Sequence, residues 1–325
     1  MRARAENEVR NELLRMITAK QKNRIEALYR ERGTCLWNEP MAAHTSFHIG
    51  GPADVYLVPA DDAQLAETVR LLRDLGVPLT LLGNGSNVLV ADEGIPGAVL
   101  RLEDKPAKMT FTETADGTVL AEVSAGTSLS GFAREACDRG LADMEYATGI
   151  PGTVGGGIVM NAGAYGGEIK DSLTEVRVLT KDGEIETLPA EELALSYRYS
   201  RIPERGDIVL GAVFTLRKGD REAIRAKVLE LSAKRREKQP LEFPSAGSTF
   251  KRPVGYFAGK LIEDAGLKGY TVGGAQVSVK HSGFVINKGN ATCEDVKTLI
   301  RDVQRIVFDR FGVALEPEVR FLPNA

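Results

Sequence analysis

Residues 149–167 limit what this chain can fold into more than any other segment. They run Gly149-Ile150-Pro151-Gly152-Thr153-Val154-Gly155-Gly156-Gly157 and on to Asn161-Ala162-Gly163-Ala164-Tyr165-Gly166-Gly167, nineteen residues with eight glycines. Glycine brings no side chain to a core and loses more chain entropy than any other residue on ordering. A plain strand or helix does not carry that density. Either the segment is a set of tight turns, or something uses its bare backbone. A second cluster, Gly83-Asn84-Gly85-Ser86-Asn87, sits between the apolar runs LTLLG and NVLVA. There the backbone N–H groups can converge on an anion, and Asn and Ser add side-chain hydrogen bonds.

Two familiar phosphate binders do not fit. A Rossmann turn needs G-x-G-x-x-G before a helix, but Val88 follows where the third glycine belongs, and a strand pattern comes next. A P-loop needs G-x4-G-K-[ST], and Gly255-Tyr256-Phe257-Ala258-Gly259-Lys260-Leu261 is one residue short and lacks the hydroxyl. Two glycine clusters in one α/β region favour a large dinucleotide bound without a Rossmann unit, against tight turns alone.

The whole chain sets the remaining bounds. With 325 residues, two or three domains are expected. Forty-two Lys and Arg against 45 Asp and Glu leave a formal charge of −3, which argues against a nucleic-acid or acidic-membrane partner. No run approaches the ~20 apolar residues of a spanning helix, and the opening MRARAENEVRNELLR is no secretory signal. Cys35, Cys137 and Cys293 form no pair and no metal spacing, so a cytoplasmic setting and no metal are expected. A monomer is favoured over an oligomer.

Four divisions are expected. Residues 1–40 read as a polar helical lead, with Leu13, Leu14, Ile17, Ile25 and Leu28 in partial helical spacing. Residues 41–105 read as a small α/β unit whose helix starts at Asp61 or Asp62 and stops at Gly76. Residues 106–218 hold the strands TVLAEVSAG, TEVRVLT and DIVLGAVFTL around the glycine stretch. Residues 219–325 hold a helix opened by Asp220 and ended by Pro240, a helix over about 293–311 with Thr292 and Asp295 as a capping box and Gly312 as its stop, and a closing strand EVRFL. Irregular alternation of α and β makes the class α+β.

Seven motifs then occur in order: TSFHIGGPA, GNGSN, GIPGTVGGGIVMNAGAYGGEI, SYRYSRIP, PSAGSTFKRP, AGKLIEDAGLKGY and EPEVRF. Together they resemble the MurB family, the UDP-N-acetylenolpyruvoylglucosamine reductases of peptidoglycan synthesis, over about residues 40–323. The resemblance implies two FAD-binding domains of the vanillyl-alcohol-oxidase type, at 41–105 and 106–218, and a third, substrate-binding domain. It implies non-covalent FAD reduced by NADPH, and reduction of UDP-N-acetylglucosamine enolpyruvate to UDP-N-acetylmuramate. FAD would lie along Gly83, Asn84, Gly85, Ser86 and Asn87, and along Gly149, Pro151, Gly152, Thr153, Gly155, Gly156, Asn161, Gly163 and Ala164. One sort of the family carries a tyrosine loop that closes over substrate. Only about 28 residues separate Leu216 from Ser245 here, and a helix fills most of them. This chain therefore resembles the shorter sort.

Hydride addition to an enolpyruvyl double bond pushes electrons onto its carboxylate, so the site must hold negative charge and deliver a proton. Arg198 matches the family arginine that would grip the carboxylate; by local chemistry alone it is a surface ion pair. Ser248 matches the family proton donor; alone it is a turn serine, and Thr249 stands one position away. Glu318 matches the family glutamate that orients or shares a proton with the carboxylate; alone it is a strand-edge partner of Arg320, with Glu316 a competitor. Tyr197, Lys238, Lys251, Lys260 and His281 would contact the substrate, the lysines at its diphosphate; alone the lysines are solvated. His44 reads as structural, and His48 is not expected to attach FAD. A flavin oxidase of the same fold and a non-catalytic UDP-sugar or flavin binder remain the alternatives.

Overall fold

The computed structural model of the protein describes residues 17–104 and 108–323. Three sheets carry it. In the first, Pro52–Val58, Ile95–Arg101 and Leu79–Leu82 lie side by side and parallel, with Thr34–Pro40 antiparallel on the outer edge. The crossover helix Asp62–Leu75 begins where the Asp61 carboxylate accepts the Gln64 N–H and ends on Gly76 at φ 64°. Leu65 and Leu72 bury against the sheet.

The expected helical lead is only partly helical. Ala19–Tyr29 is a helix with a Thr18–Gln21 capping box, but Thr34–Pro40 is a strand. Its side chains alternate between half-buried and exposed, the two-residue period of a sheet. Cys35 and Trp37 thereby reach the same apolar cluster as Ile25, Val55 and Leu57. Leu13 and Leu14 lie outside the described residues.

The second sheet is antiparallel, in the order Ile185–Pro189, Leu173–Leu179, Ile208–Leu216, Val119–Ser124, Met109–Glu113. Its inner face packs on the Leu129–Asp138 helix through Phe132, Phe214 and Val176. The glycine stretch lies on this layer and breaks into pieces. Thr153 caps a six-residue helix, Val154–Val159, and two-residue strands follow. Gly155 sits where a Cβ would stand 3.0 Å from the Ala125 methyl, so the helix backbone rests directly on its neighbour.

The helix Arg221–Lys238 bridges to the third sheet and occupies most of the interval after Leu216. That sheet runs Ser245–Ser248, Phe284–Asn287, Ala275–Val277, Thr271–Val272. Cys293–Phe311 covers it with Val296, Leu299, Ile300, Val303 and Val307 inward, and ends on Gly312 at φ 67°. Its N-terminus is capped twice. Thr292 and Asp295 form the expected box, and the Asp92 carboxylate, from the first layer, accepts the N–H groups of Cys293 at 2.7 Å and Glu294 at 3.1 Å. The closing strand Arg320–Leu322 returns to pair in parallel with Val88–Val90.

All three cysteines are free. Burial pushes the Cys35 and Cys293 thiols up to about 11 and Cys137 to about 12, so none is a thiolate at neutral pH. Among the described residues, no helix is long and apolar enough to cross a membrane.

The Asp92 cap gives a direct test of how the layers are joined. Asp92→Ala strands two helix N–H groups and should cost about 1–2 kcal/mol, read as a lower urea midpoint with an unchanged slope.

Candidate active site

The two glycine clusters meet. The 83–87 turn follows the carboxyl end of Leu79–Leu82, where open parallel sheets present their loops to ligands. A Cβ on Gly83 would stand 2.8 Å from the Thr153 hydroxyl oxygen, and Gly152 lies against Ser86. Thr153 is 4% exposed and its hydroxyl accepts the Gly156 N–H, so it has no room to retreat. Gly85, at φ 60°, lets the turn close on the His44 carbonyl, which a Cβ there would meet at 2.1 Å. The lining is backbone, hydroxyl and amide, which suits a pyrophosphate held by N–H groups. These residues fit FAD.

Within that set the side chains divide. Asn84 accepts from Arg101 at 3.2 Å, and strand pairing of Leu82 with Arg101 brings that cation to the turn. No sequence signal marked Arg101. Asn87 donates to the Glu318 carbonyl at 3.2 Å. Gly149 is a close-approach glycine against Arg235, whose guanidinium a Cβ would meet at 2.5 Å. Gly163 and Ala164 pair with Gly167 and Glu168, while Pro151 and Gly156 are exposed. Asn161 is bonded on all sides by protein groups. It is fully buried, donates to Glu168 at 2.6 Å and to the Ser196 carbonyl at 3.0 Å, and accepts from the Lys170 N–H. Both side-chain N–H groups are thus engaged inside the protein.

Beside this cradle lies a cleft of about 480 Å³ that Arg198, Ser248 and Glu318 all line. Each arrives by a local device. Tyr197 and Arg198 form a two-residue turn closed by reciprocal Ser196 and Tyr199 backbone bonds of 3.1 Å, with Arg198 at φ 57°. Gly247, at φ 76°, accompanies a register shift in Ser245–Ser248. The shift leaves Ser248 exposed at the cleft and turns Thr249 inward, 4% exposed, its hydroxyl accepting the Val285 N–H at 3.0 Å. Geometry thus separates the two hydroxyls. The Glu318 N–H donates to the Thr249 carbonyl at 2.8 Å, which sets the carboxylate beside Ser248 in the chain pairing.

Arg198 Nε donates to Glu318 Oε1 at 2.5 Å, and Nη2 to the Gly163 carbonyl at 3.3 Å. Glu318 therefore partners Arg198, not Arg320. Burial raises its pKa above the ordinary carboxylate range, against the pull of Arg198 and then Lys251. Glu316 instead pairs with Lys251 on the exposed side. Lys251 is not among the residues that line the cleft, although its charge acts on Glu318. Lys260 does line the cleft, from within the short helix Ala258–Asp264, and pairs with Asp264 at 2.5 Å. Tyr197, Lys238 and His281 also line the cleft. Burial holds the His281 imidazole below its usual range. Arg252, Lys268, Lys280 and Phe257 join them. Six cations against three carboxylates make the lining positive, the field an anionic ligand needs. His44 is structural: it holds Glu39 at 2.7 Å and stacks on Tyr56.

Comparison with known proteins gives the family. Residues 239–322 match the profile described as UDP-N-acetylenolpyruvoylglucosamine reductase, C-terminal domain, and residues 53–189 match an FAD binding domain. The reductase of that name from Lachnoclostridium phytofermentans is 53% identical over 292 residues, 90% of this chain and 93% of the relative. The chain belongs to the UDP-N-acetylenolpyruvoylglucosamine reductase family. The reductase of Agathobacter rectalis is 52% identical over 88% of this chain and 93% of its own length. The solved UDP-N-acetylenolpyruvylglucosamine reductase of Thermus caldophilus superposes with a TM-score of 0.75 at 36% identity, over 90% of this chain and 99% of that one. The FAD-binding match spans both glycine clusters, and the reductase match spans Ser248 and Glu318.

Two outcomes test the site. Gly83→Ala should weaken FAD at least about tenfold with an unchanged circular dichroism spectrum, measured by flavin fluorescence on titrating apoprotein. Glu318→Gln tests the raised pKa. A carboxyl that ionises less readily folded than unfolded loses stability as pH climbs from about 4.3 to its folded value. The Gln variant lacks that slope. Its urea midpoint relative to the parent should therefore rise as pH climbs above about 4.3.

Proposed function

We propose that this chain reduces UDP-N-acetylglucosamine enolpyruvate to UDP-N-acetylmuramate, with NADPH as electron source. The observation that carries the reading is convergence. Arg198, Ser248 and Glu318 come from three segments far apart in sequence to one positive cleft beside the glycine cradle. FAD held by that cradle supplies the hydride.

The protein's own groups do the rest. Glu318 and the Gly163 carbonyl occupy part of the Arg198 donor fork and fix its plane. The remaining donors take the substrate carboxylate and stabilise the charge that falls on it after hydride addition. Glu318 keeps the guanidinium aimed, and its raised pKa lets it accept a proton when a second carboxylate arrives. The Ser248 hydroxyl, exposed on the cleft wall, delivers the proton that completes the saturated ether. Lys238, Lys260, Lys268, Lys280 and Arg252 meet the diphosphate. His281, held neutral by burial, offers a hydrogen bond rather than charge. Tyr197 walls the mouth, its hydroxyl accepting the Arg252 N–H at 3.1 Å. A near-neutral composition with free cysteines supports a cytoplasmic reaction.

Ser248→Ala separates the half-reactions. In anaerobic rapid mixing, NADPH should bleach the flavin at a rate within about twofold of the parent. Return of the yellow band on adding the enolpyruvate should slow by about 10²–10⁴. If both phases survive, Ser248 is not the donor. If the parent band returns only when oxygen is admitted, the chain is an oxidase.

A further inference from the structure

The turn that presents Arg198 is thinly supported. Ser196, Tyr197 and Tyr199 are exposed, and Arg198 itself holds a left-handed backbone that a non-glycine residue keeps only when its surroundings insist. Glu318 holds the guanidinium, Tyr197 and Tyr199 reach Arg252 and Glu204, and the glycine stretch supplies three further ties. The Gly163 carbonyl accepts from the guanidinium, and the Ser200 hydroxyl donates to the Val159 carbonyl at 2.9 Å. Asn161 makes the third tie and the only one given by a side chain of that stretch. Its Nδ2 reaches the Ser196 carbonyl, on the residue that opens the turn. The same nitrogen is anchored from behind by Glu168 Oε2, whose other oxygen is held by Lys170 at 2.7 Å. Asn161 is fully buried, at φ 39°, with its side-chain nitrogen and oxygen both engaged.

We propose that Asn161 is a positioning residue: the chain Glu168–Asn161–Ser196 sets the pitch of the 196–199 turn and so aims the Arg198 guanidinium at Glu318 and the substrate carboxylate. The inference rests on the role given to Arg198 above. Asparagine suits the task because its amide donates in two directions while its oxygen accepts from the Lys170 N–H. Aspartate has nearly the same shape but cannot donate, and it would face the Glu168 carboxylate and the Ser196 carbonyl.

The experiment is a double-mutant cycle on holoenzyme. Asn161→Asp should retain FAD and keep NADPH-driven bleaching within about twofold, while reoxidation by the enolpyruvate at saturation slows about tenfold or more. In an Arg198→Lys background the same change should cost less than about twofold, because no guanidinium plane is left to aim. An equal factor in both backgrounds overturns the proposal. So does loss of flavin or slowed bleaching, which would return Asn161 to the cofactor. If Arg198→Lys alone leaves reoxidation untouched, it is the role of Arg198 that fails. Should Asn161→Asp not fold, Glu168→Gln asks the same question through the anchoring bond. It should slow reoxidation a few-fold in the parent and not in Arg198→Lys; no difference between the backgrounds overturns the proposal.

Discussion

One five-residue turn joins the layers of this protein. Residues 83–87 lean on Thr153 of the second layer through the bare Cα of Gly83. The Gly85 carbonyl accepts the Ser46 N–H at 3.0 Å, and the Ser46 hydroxyl donates to the Ser245 carbonyl at 2.6 Å, the start of the strand that carries Ser248. Asn87 holds the Glu318 carbonyl with its side chain and the Arg320 N–H with its own carbonyl. A turn that fits FAD is therefore also the bracket for the carboxylate and the hydroxyl of the cleft. It acts together with the Thr249 carbonyl, which accepts the Glu318 N–H, and with the pairing of Ser248 to Phe284.

The cleft inherits its charge distribution from this arrangement. Arg198 and Glu318 are largely buried partners, a state in which the attraction must offset the loss of water from both ions. Burial has already moved Glu318 toward neutrality, while the guanidinium keeps its charge at any ordinary pH. An incoming carboxylate meets a fixed cation with a yielding competitor. Lys238, Lys260, Lys268 and Lys280 add positive charge to the same cleft.

Much of this was legible in the chain. Helix ends were, because Asp61, Asp220, Thr292, Gly76 and Gly312 act on their nearest neighbours, and capping is local chemistry. The glycine clusters announced that backbone was in use. Pairing was not legible. Thr34–Pro40 sits next to a helix in sequence and gave no strong strand signal; only the parallel layer beside it makes it an edge. Lys251 read as a free cation because Glu316, the partner that absorbs it, is 65 residues away and met only in the fold; the Lys260–Asp264 pair is a local i,i+4 contact that helical spacing does offer. Asn161 belongs to a motif whose backbone lines a cofactor cradle, and sequence does not tell a residue that touches a ligand from one that holds the wall.

The parallel pairing of Arg320–Leu322 with Val88–Val90 has a temporal meaning. Synthesis runs from the first layer to the last, yet a strand near the end of the chain is needed to finish the neighbourhood of the 83–87 turn. More than two hundred residues must leave the ribosome between the two halves of that ladder. The first layer can gather its own core early, since its other strands and helix are close in sequence. Its phosphate-facing rim stays unfinished until the third layer has been made and docked. Flavin capture is thus tied to completion of the polypeptide, and a prematurely terminated chain would present no finished cradle to the cofactor.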